Sequence, residues 1–312
     1  MIDADNQPGQ IYWHAGQNGQ LSELVTLSER LFSLNVPFSV ISVQSDVKLG
    51  LGGSIYLDDN IDNDNSYQHL AFVPKQTIQA LGNKQFCQDY NIKYPYMTGA
   101  MANGIASVEL VEAIAKADML ASFGAAGLSL VEVEKAIQRL QAAIPDKSFC
   151  FNLIHSPNEK GHEDAIVDLY LRYGIDLVEA SAYMKLTLPV VRYRVKGIHK
   201  DIQGNIIVPN RIIAKASRVE LASKWFSPPP EKLLKELLAQ GAITNEEAEL
   251  AKKIPMAQDL TVEADSGGHT DNRPAITLLP TMLALRDQIQ SQYNYTHELR
   301  VGAAGGIATP AS

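Results

Sequence analysis

Two glycines followed at once by a histidine end an apolar stretch in this chain: EADSGGHTDNRP, residues 263–274, comes directly after Leu260, Thr261 and Val262. Glycine has no side chain, so the backbone there can pass close against a ligand. The next residue, His269, carries an imidazole whose ordinary pKa of about 6.5 lets it give or take a proton near neutral pH. The surroundings favour proton chemistry over metal chemistry, because no HExxH pair and no Cys/His cluster with ligand spacing occurs in the chain. No GxSxG elbow occurs either, which argues against a serine hydrolase. His155, just after the apolar FNLI, is a second candidate for substrate contact, with packing at a helix start as the equal alternative. Asp271, Asn272 and Pro274 read as a helix start, with an Asp or Asn cap and Pro in the first turn. Capping is preferred there over a phosphate contact from Arg273.

What positions these groups is a repeated unit that sets in at about Tyr94. Seven apolar runs, YPYMTGA, DMLASFG, SFCFNLI, DLVEAS, RIIAKAS, DLTVEA and LRVGAA, read as strands. SVELVEAIAKA, SLVEVEKAIQRLQAAI and EDAIVDLYLRYG carry apolar residues three and four apart and read as helices between the early strands. Ser129 with Glu132, and Ser156 with Glu159, have capping-box spacing. Near-continuous apolar strands alternating with helices imply a parallel sheet covered by helices, either a TIM barrel or an open doubly wound sheet.

Four strands exit into small turns: GAMANG at 99–104, GAAG at 124–127, SGGH at 266–269 and AAGG at 303–306. An open dinucleotide-binding sheet concentrates glycine in its first turn, whereas a barrel places all such turns on one rim. The spacing therefore favours the barrel. Bare backbone around one rim suits a broad flat ligand held by main-chain N–H groups, and a flavin with its phosphate is of that kind.

At 312 residues the chain suits one barrel plus an extra segment. Residues 1–90 read as a small α+β N-terminal domain: QIYWHAG, VPFSVISVQ and GGSIYLD as strands, LSELVTLSERLFSL as a helix, DDNIDNDNS as a surface loop. Residues 91–312 form the barrel domain, interrupted at 223–257 by a helical hairpin whose second helix is capped by Thr244 and Glu247. That hairpin reads either as a lid or wall at the active rim or as structural elaboration. Net charge is -8, which speaks against a general nucleic-acid surface. Within 181–226, however, nine Lys or Arg stand against two acidic residues, a basic zone that includes Arg192, Arg194, Lys196, Lys200 and Arg218. Cys87 and Cys150 read as free thiols, and with no membrane-length apolar run and no signal pattern the expected location is the cytoplasm.

MANGIAS, FNLIHSPNE, VEADSGGHTDNRP and RVGAAGGIATP resemble the PfaD family, the stand-alone enoyl reductases of polyunsaturated fatty acid and polyketide synthases. The resemblance runs from about Leu81 to the end and extends to FMN-dependent enoyl-acyl-carrier-protein reductases and nitronate monooxygenases, which share a TIM barrel. It implies an FMN site built from Met101, Ala102, Asn103, Asn152, Lys215, Glu263, Gly267, Gly268, Gly305 and Gly306, with His269 as the catalytic proton donor. It implies NADPH as co-substrate, 2-enoyl thioesters on acyl carrier protein as substrate, and a homodimer as the assembly to consider; the basic zone then reads as a docking surface for the acidic carrier protein, with a solvated helix face and its β-hairpin HKDIQGNI as the equal alternative. A nitronate monooxygenase-like activity and a non-catalytic chain that binds a synthase partner stay open beside it. The chain departs from the family by ending just after the seventh strand, so the expected fold is a TIM-type (β/α)8 barrel truncated there.

Overall fold

Each of the seven apolar runs forms a strand in the structure, a computed structural model that describes residues 11–23, 35–57, 65–157, 159, 161–265 and 271–305. The chain divides into two units, Met1–Asp89 with Lys93–Pro95, and Tyr90–Ile92 with Tyr96–Ser312.

The first unit is an antiparallel sheet of six strands, β1 (Ile11–His14), β2 (Gln20–Glu23), β3 (Phe38–Val43), β4 (Asp46–Leu51), β5 (Ser54–Leu57) and β6 (Ser66–Val73), followed by α1 (Lys84–Asp89). Its spatial order is β2-β4-β3-β6-β1-β5. Trp13, Phe38, Ile41 and Leu49 are buried in it, and the Trp13 indole donates to Gly52 O at 2.8 Å. The helix expected over 21–34 is corrected at its start, because Leu21 to Glu23 pair with β4 as a strand. The rest of that helix, and residues 58–64 of the expected loop, lie outside the described residues.

The second unit alternates strand and helix: β7 (Met97–Thr98), α2 (Val108–Lys116), β8 (Leu120–Phe123), α3 (Leu130–Ala143), β9 (Cys150–Ile154), α4 (His162–Arg172), β10 (Leu177–Ser181) and α5 (Leu188–Val195). A small hairpin, β11 (His199–Lys200) and β12 (Ile206–Ile207), precedes β13 (Arg211–Ala216). Then come α6 (Val219–Phe226), α7 (Glu231–Ala239), α8 (Asn245–Ala251), β14 (Asp259–Glu263), α9 (Ala275–Tyr293) and β15 (Arg300–Ala304). The main sheet has the order β15-β14-β13-β10-β9-β8-β7, and every neighbouring pair is parallel. This is the TIM-type α/β arrangement, and all strand exits lie at one edge.

Period-two alternation gives the sheet two unlike faces. Phe151, Val178, Ala180, Ile212, Ala214, Leu260 and Val262 are buried in the main core. Phe151 meets Tyr170 of α4 at 5.5 Å between ring centroids, so this is the face the helices cover. The residues between them, Asn152, Glu179, Lys215 and Glu263, stand on the other face. Asn152 and Glu179 are directly in register, whereas Lys215 lies two residues beyond Ile213, the partner of Glu179, and Glu263 two beyond Thr261, the partner of Lys215, so the polar series steps toward the strand exits from strand to strand.

Two of the capping boxes expected from sequence form, Ser129 with Glu132 and Thr244 with Glu247. The third does not: α4 starts at His162 behind Gly161, and Ser156 and Glu159 instead make a backbone turn, Glu159 N to Ser156 O at 3.2 Å. The start of α9 is also corrected. Asp265, ten residues upstream, accepts from Ala275 N at 2.8 Å, while Asp271 turns away to pair with Arg218 at 2.9 Å. A free helix start takes whichever oxygen the tertiary fold brings nearest.

The helical insertion is not at the strand-exit edge. Its first residues, Ser223 to Phe226, belong to α6, which runs back from that edge. Hydrogen bonds from Met256 N to Ser227 O (2.9 Å) and Ala257 N to Trp225 O (2.8 Å) close the insertion where α6 ends and β14 is about to begin. The lid reading therefore falls, and structural elaboration stands. Thr244→Ala should cost about 0.5–2 kcal/mol by removing the cap of α8, read as a lower denaturant midpoint in urea.

Candidate functional site

The exits of β9, β10, β13 and β14 carry one connected polar cluster. Lys215 Nζ lies 2.8 Å from Glu263 Oε1 and 3.3 Å from Glu179 Oε1. The other Glu179 oxygen accepts from Ala100 N at 2.7 Å, tying the loop after β7 to the same cluster. Asn152 donates through Nδ2 to Glu179 O at 3.1 Å and to Ser181 Oγ at 2.9 Å. Gly99 stands beside this group, and a Cβ there would lie 3.2 Å from Glu179 Oε1 and 3.7 Å from Lys215 Nζ.

Burial works against the charge of Lys215, but the carboxylates of Glu179 and Glu263 outweigh it and hold the ammonium pKa above its ordinary value. Two carboxylates around one ammonium leave this cluster a net negative charge. Because the folded pKa is raised, the stabilisation from Lys215 is fully present below the ordinary lysine pKa of about 10.4 and is lost as pH rises through the folded value. Lys215→Met should lower stability at pH 7 by about 1.5–3 kcal/mol through loss of its charge-assisted contacts. Its unfolding free energy should then fall less steeply than the parent's in alkaline urea titrations, and parallel curves would contradict the assignment.

Of the site residues expected from sequence, Asn152, Lys215 and Glu263 are brought together. Met101, Ala102 and Asn103 follow Ala100 in an exposed loop clasped to the exit of β8, with Asn103 N to Ala126 O at 2.7 Å and Gly104 N to Gly124 O at 2.9 Å. Gly124 is required for that closeness, since a Cβ would fall 1.7 Å from Met101 O. Gly305 follows β15 with φ of 85°, in the left-handed region. His269, Gly267, Gly268 and Gly306 lie outside the described residues.

Glu179 escaped the sequence reading. Its signal was a lone carboxylate in the apolar run DLVEAS, which in a buried strand demands a partner. Glu163 escaped it too: buried in the first turn of α4, it accepts from Tyr183 Oη at 2.8 Å and from Thr187 Oγ1, and lies 2.9 Å from His155 Nδ1. His155 is thus engaged at a helix start.

The basic zone of 181–226 does not form one face. Arg192 pairs with Asp168 at 2.6 Å and Asp164 at 3.3 Å on α4. Arg194 is buried, donating to Pro255 O (3.1 Å) and Asn210 O (2.9 Å), and burial lowers its pKa to about 10. Lys196 Nζ reaches Ala242 O at 2.9 Å in the helical insertion. Only the tertiary fold supplies these partners, and they remove Arg194 from any docking surface. A cavity of about 480 Å³ opens at the opposite edge of the sheet, among Asp146, Lys147, Phe149 and Asp176, and includes no member of the polar cluster.

Parallel strands with polar side chains on one face and bare turns at their exits define a barrel-type α/β protein with a candidate site at the strand-exit edge. No family model matches the chain. It is 48% identical over 242 residues to a polyunsaturated fatty acid synthase component of Thraustochytrium sp., covering 77% of this chain and 16% of that protein. It is 46% identical over 235 residues to the polyketide biosynthesis protein PksE of Bacillus subtilis, covering 75% and 31% respectively. The enoyl reductase domain of MlnA from the macrolactin biosynthesis cluster of Bacillus amyloliquefaciens shares its fold, with a TM-score of 0.72 and 36% identity over 75% of this chain and 53% of that one. The resemblance carried by the four motifs is thereby borne out: the chain is a relative of the PfaD-type proteins of these synthases. It spans less than a third of the length of these two curated relatives.

Proposed function

We propose that this chain is the FMN-dependent enoyl reductase portion of a polyunsaturated fatty acid or polyketide synthase system. It reduces 2-enoyl thioesters held on acyl carrier protein, with NADPH as reductant. The observation that carries the reading is the cluster of Asn152, Glu179, Lys215 and Glu263 at the strand exits, in a fold shared with the enoyl reductase domain of MlnA. The residues present fit a flat ring with polar edges. A Cβ on Gly302, beside Thr261 in the register, meets nothing within 4 Å, and Gly99 adds no bulk on the other flank.

When bound, FMN supplies the hydride for the β-carbon of the enoyl group. Lys215 offers an ammonium donor, and Asn152 an amide oxygen not used in any described contact, to the ring's carbonyl and imide edge. Met101, Ala102 and Asn103 would border the ring from the loop after β7, Gly267 and Gly268 would pack beneath it or its phosphate arm, and Gly305 and Gly306 would supply phosphate-binding amides. His269 gives the proton to the α-carbon and polarises the thioester oxygen as charge develops there.

Purified protein should show flavin absorbance in the visible range and should reduce a crotonyl thioester with NADPH under anaerobic conditions. Flavin without thioester reduction, but with oxygen-dependent turnover of a nitronate, would replace this reading by the monooxygenase one. Protein unable to take up flavin would favour a non-catalytic partner-binding chain.

A further inference from the structure

A cavity of about 380 Å³ opens among Met184, the first turn of α6 and the segment 271–273, where the chain leaves β10, β13 and β14. Its charged lining is Arg218, Lys224, Arg273, Glu220 and Asp271, one positive charge in excess. Arg218 is fixed against Asp271 through two nitrogens, Nε to Oδ2 at 2.9 Å and Nη2 to Oδ1 at 3.0 Å. The Asp271 carboxyl is held below its ordinary pKa by Arg218 first and also by Arg273. Among the described residues, the side chains of Lys224 and Arg273 have no hydrogen-bond or ion-pair partner.

A second feature converges on the same space. Helix α6 has Arg218 at its N-cap with no side-chain cap, and Glu220 and Leu221 of its opening turn line the cavity. Uncapped first-turn N–H groups and the positive end of the helix dipole favour an anion. Lys224, in the last turn of the same helix, and Arg273, both without partners among the described residues, line one cavity with that helix start, and together they suit a phosphate oxygen cluster better than a carboxylate, which offers fewer acceptors. Arg218 follows the end of β13 by two residues and Lys215 by three, so the cavity opens at the same strand-exit edge as the polar cluster.

We propose that this cavity is a phosphate subsite, taking the phosphate ester of a molecule whose other end reaches the polar cluster. Under the function proposed above, on which this inference rests, two such molecules exist. One is the phosphopantetheine arm that carries the thioester, and the other is NADPH with its 2′-phosphate. Lys224 and Arg273 supply the mobile charge, and Arg218, locked by Asp271, gives the fixed wall.

Calorimetric titration of the full chain tests this with two ligand pairs, phosphopantetheine against pantetheine and NADPH against NADH. In the parent protein the phosphate should improve affinity about tenfold or more within at least one pair. The pair that discriminates identifies the source of the phosphate. In Lys224→Ala/Arg273→Ala, with Arg218 and its ion pair left intact, that preference should fall below about threefold. The single Lys224→Ala and Arg273→Gln variants serve if the double variant does not fold. Equal affinity within both pairs, or a preference that survives substitution, overturns the subsite. Parent protein that discriminates phosphate yet never reduces crotonyl-N-acetylcysteamine would overturn the enzymatic reading and leave the subsite standing.

Discussion

Arg300→Met should lower the unfolding free energy by about 3–5 kcal/mol, because it strands a buried carboxylate. Arg300 opens β15 and Asp259 opens β14, and the two are in register. The guanidinium makes two contacts, Nε to Oδ1 at 2.6 Å and Nη2 to Oδ2 at 2.9 Å, with side chains only 6% and 5% exposed. Tyr90 Oη donates to the same carboxylate at 2.7 Å, and its ring lies 5.9 Å from the Arg300 guanidinium and 4.9 Å from that of Arg211. Burial, reinforced by the Asp259 carboxylate, pushes the Tyr90 hydroxyl pKa well up, so it remains a neutral donor. With Arg300 gone, one phenol hydroxyl is a poor substitute for a paired cation in a water-excluded layer. Urea unfolding at pH 7 gives the number, and a loss under about 1 kcal/mol would refute the account. Adding Asp259→Asn to Arg300→Met should recover part of the loss, since the stranded charge is then absent.

The second large effect is on the proposed flavin-dependent reaction. His269→Ala should slow thioester-dependent turnover by about 10²–10⁴-fold, the usual contribution of a positioned proton donor. Reduction of the flavin by NADPH, followed by the loss of its visible absorbance, should proceed at nearly the parent rate, because that half-reaction needs no proton at the α-carbon. Reoxidation by crotonyl thioester should carry the whole defect. A variant that keeps flavin and full turnover would show that His269 is not the donor, and one slowed equally in both half-reactions would point to a disturbed cofactor site.

The strands of the parallel sheet were legible because strands covered by helices are rich in apolar residues, and such runs stand out between amphipathic helices. The same rule, read in reverse, would have flagged Glu179, a charge inside DLVEAS whose burial makes sense only beside Lys215 and Ala100 N. Local chemistry was also readable where it is complete within a few residues, as in the capping boxes at Ser129 and Thr244. It misled where a distant residue competed: Asp265 took the start of α9 that Asp271 or Asn272 was expected to cap, and Asp271 went to Arg218.

By itself, then, the sequence determined the succession of strands and helices, the bare turns at strand exits and which residue types are available there. These follow from side-chain volume, periodicity and backbone freedom, all properties of short segments. The tertiary structure alone decided that Asn152, Glu179, Lys215 and Glu263 come together in one cluster, that Arg194 is buried, and that the helical insertion closes at the edge opposite that cluster. Register between strands and competition among distant partners settle such matters, and neither is encoded in any one stretch of chain.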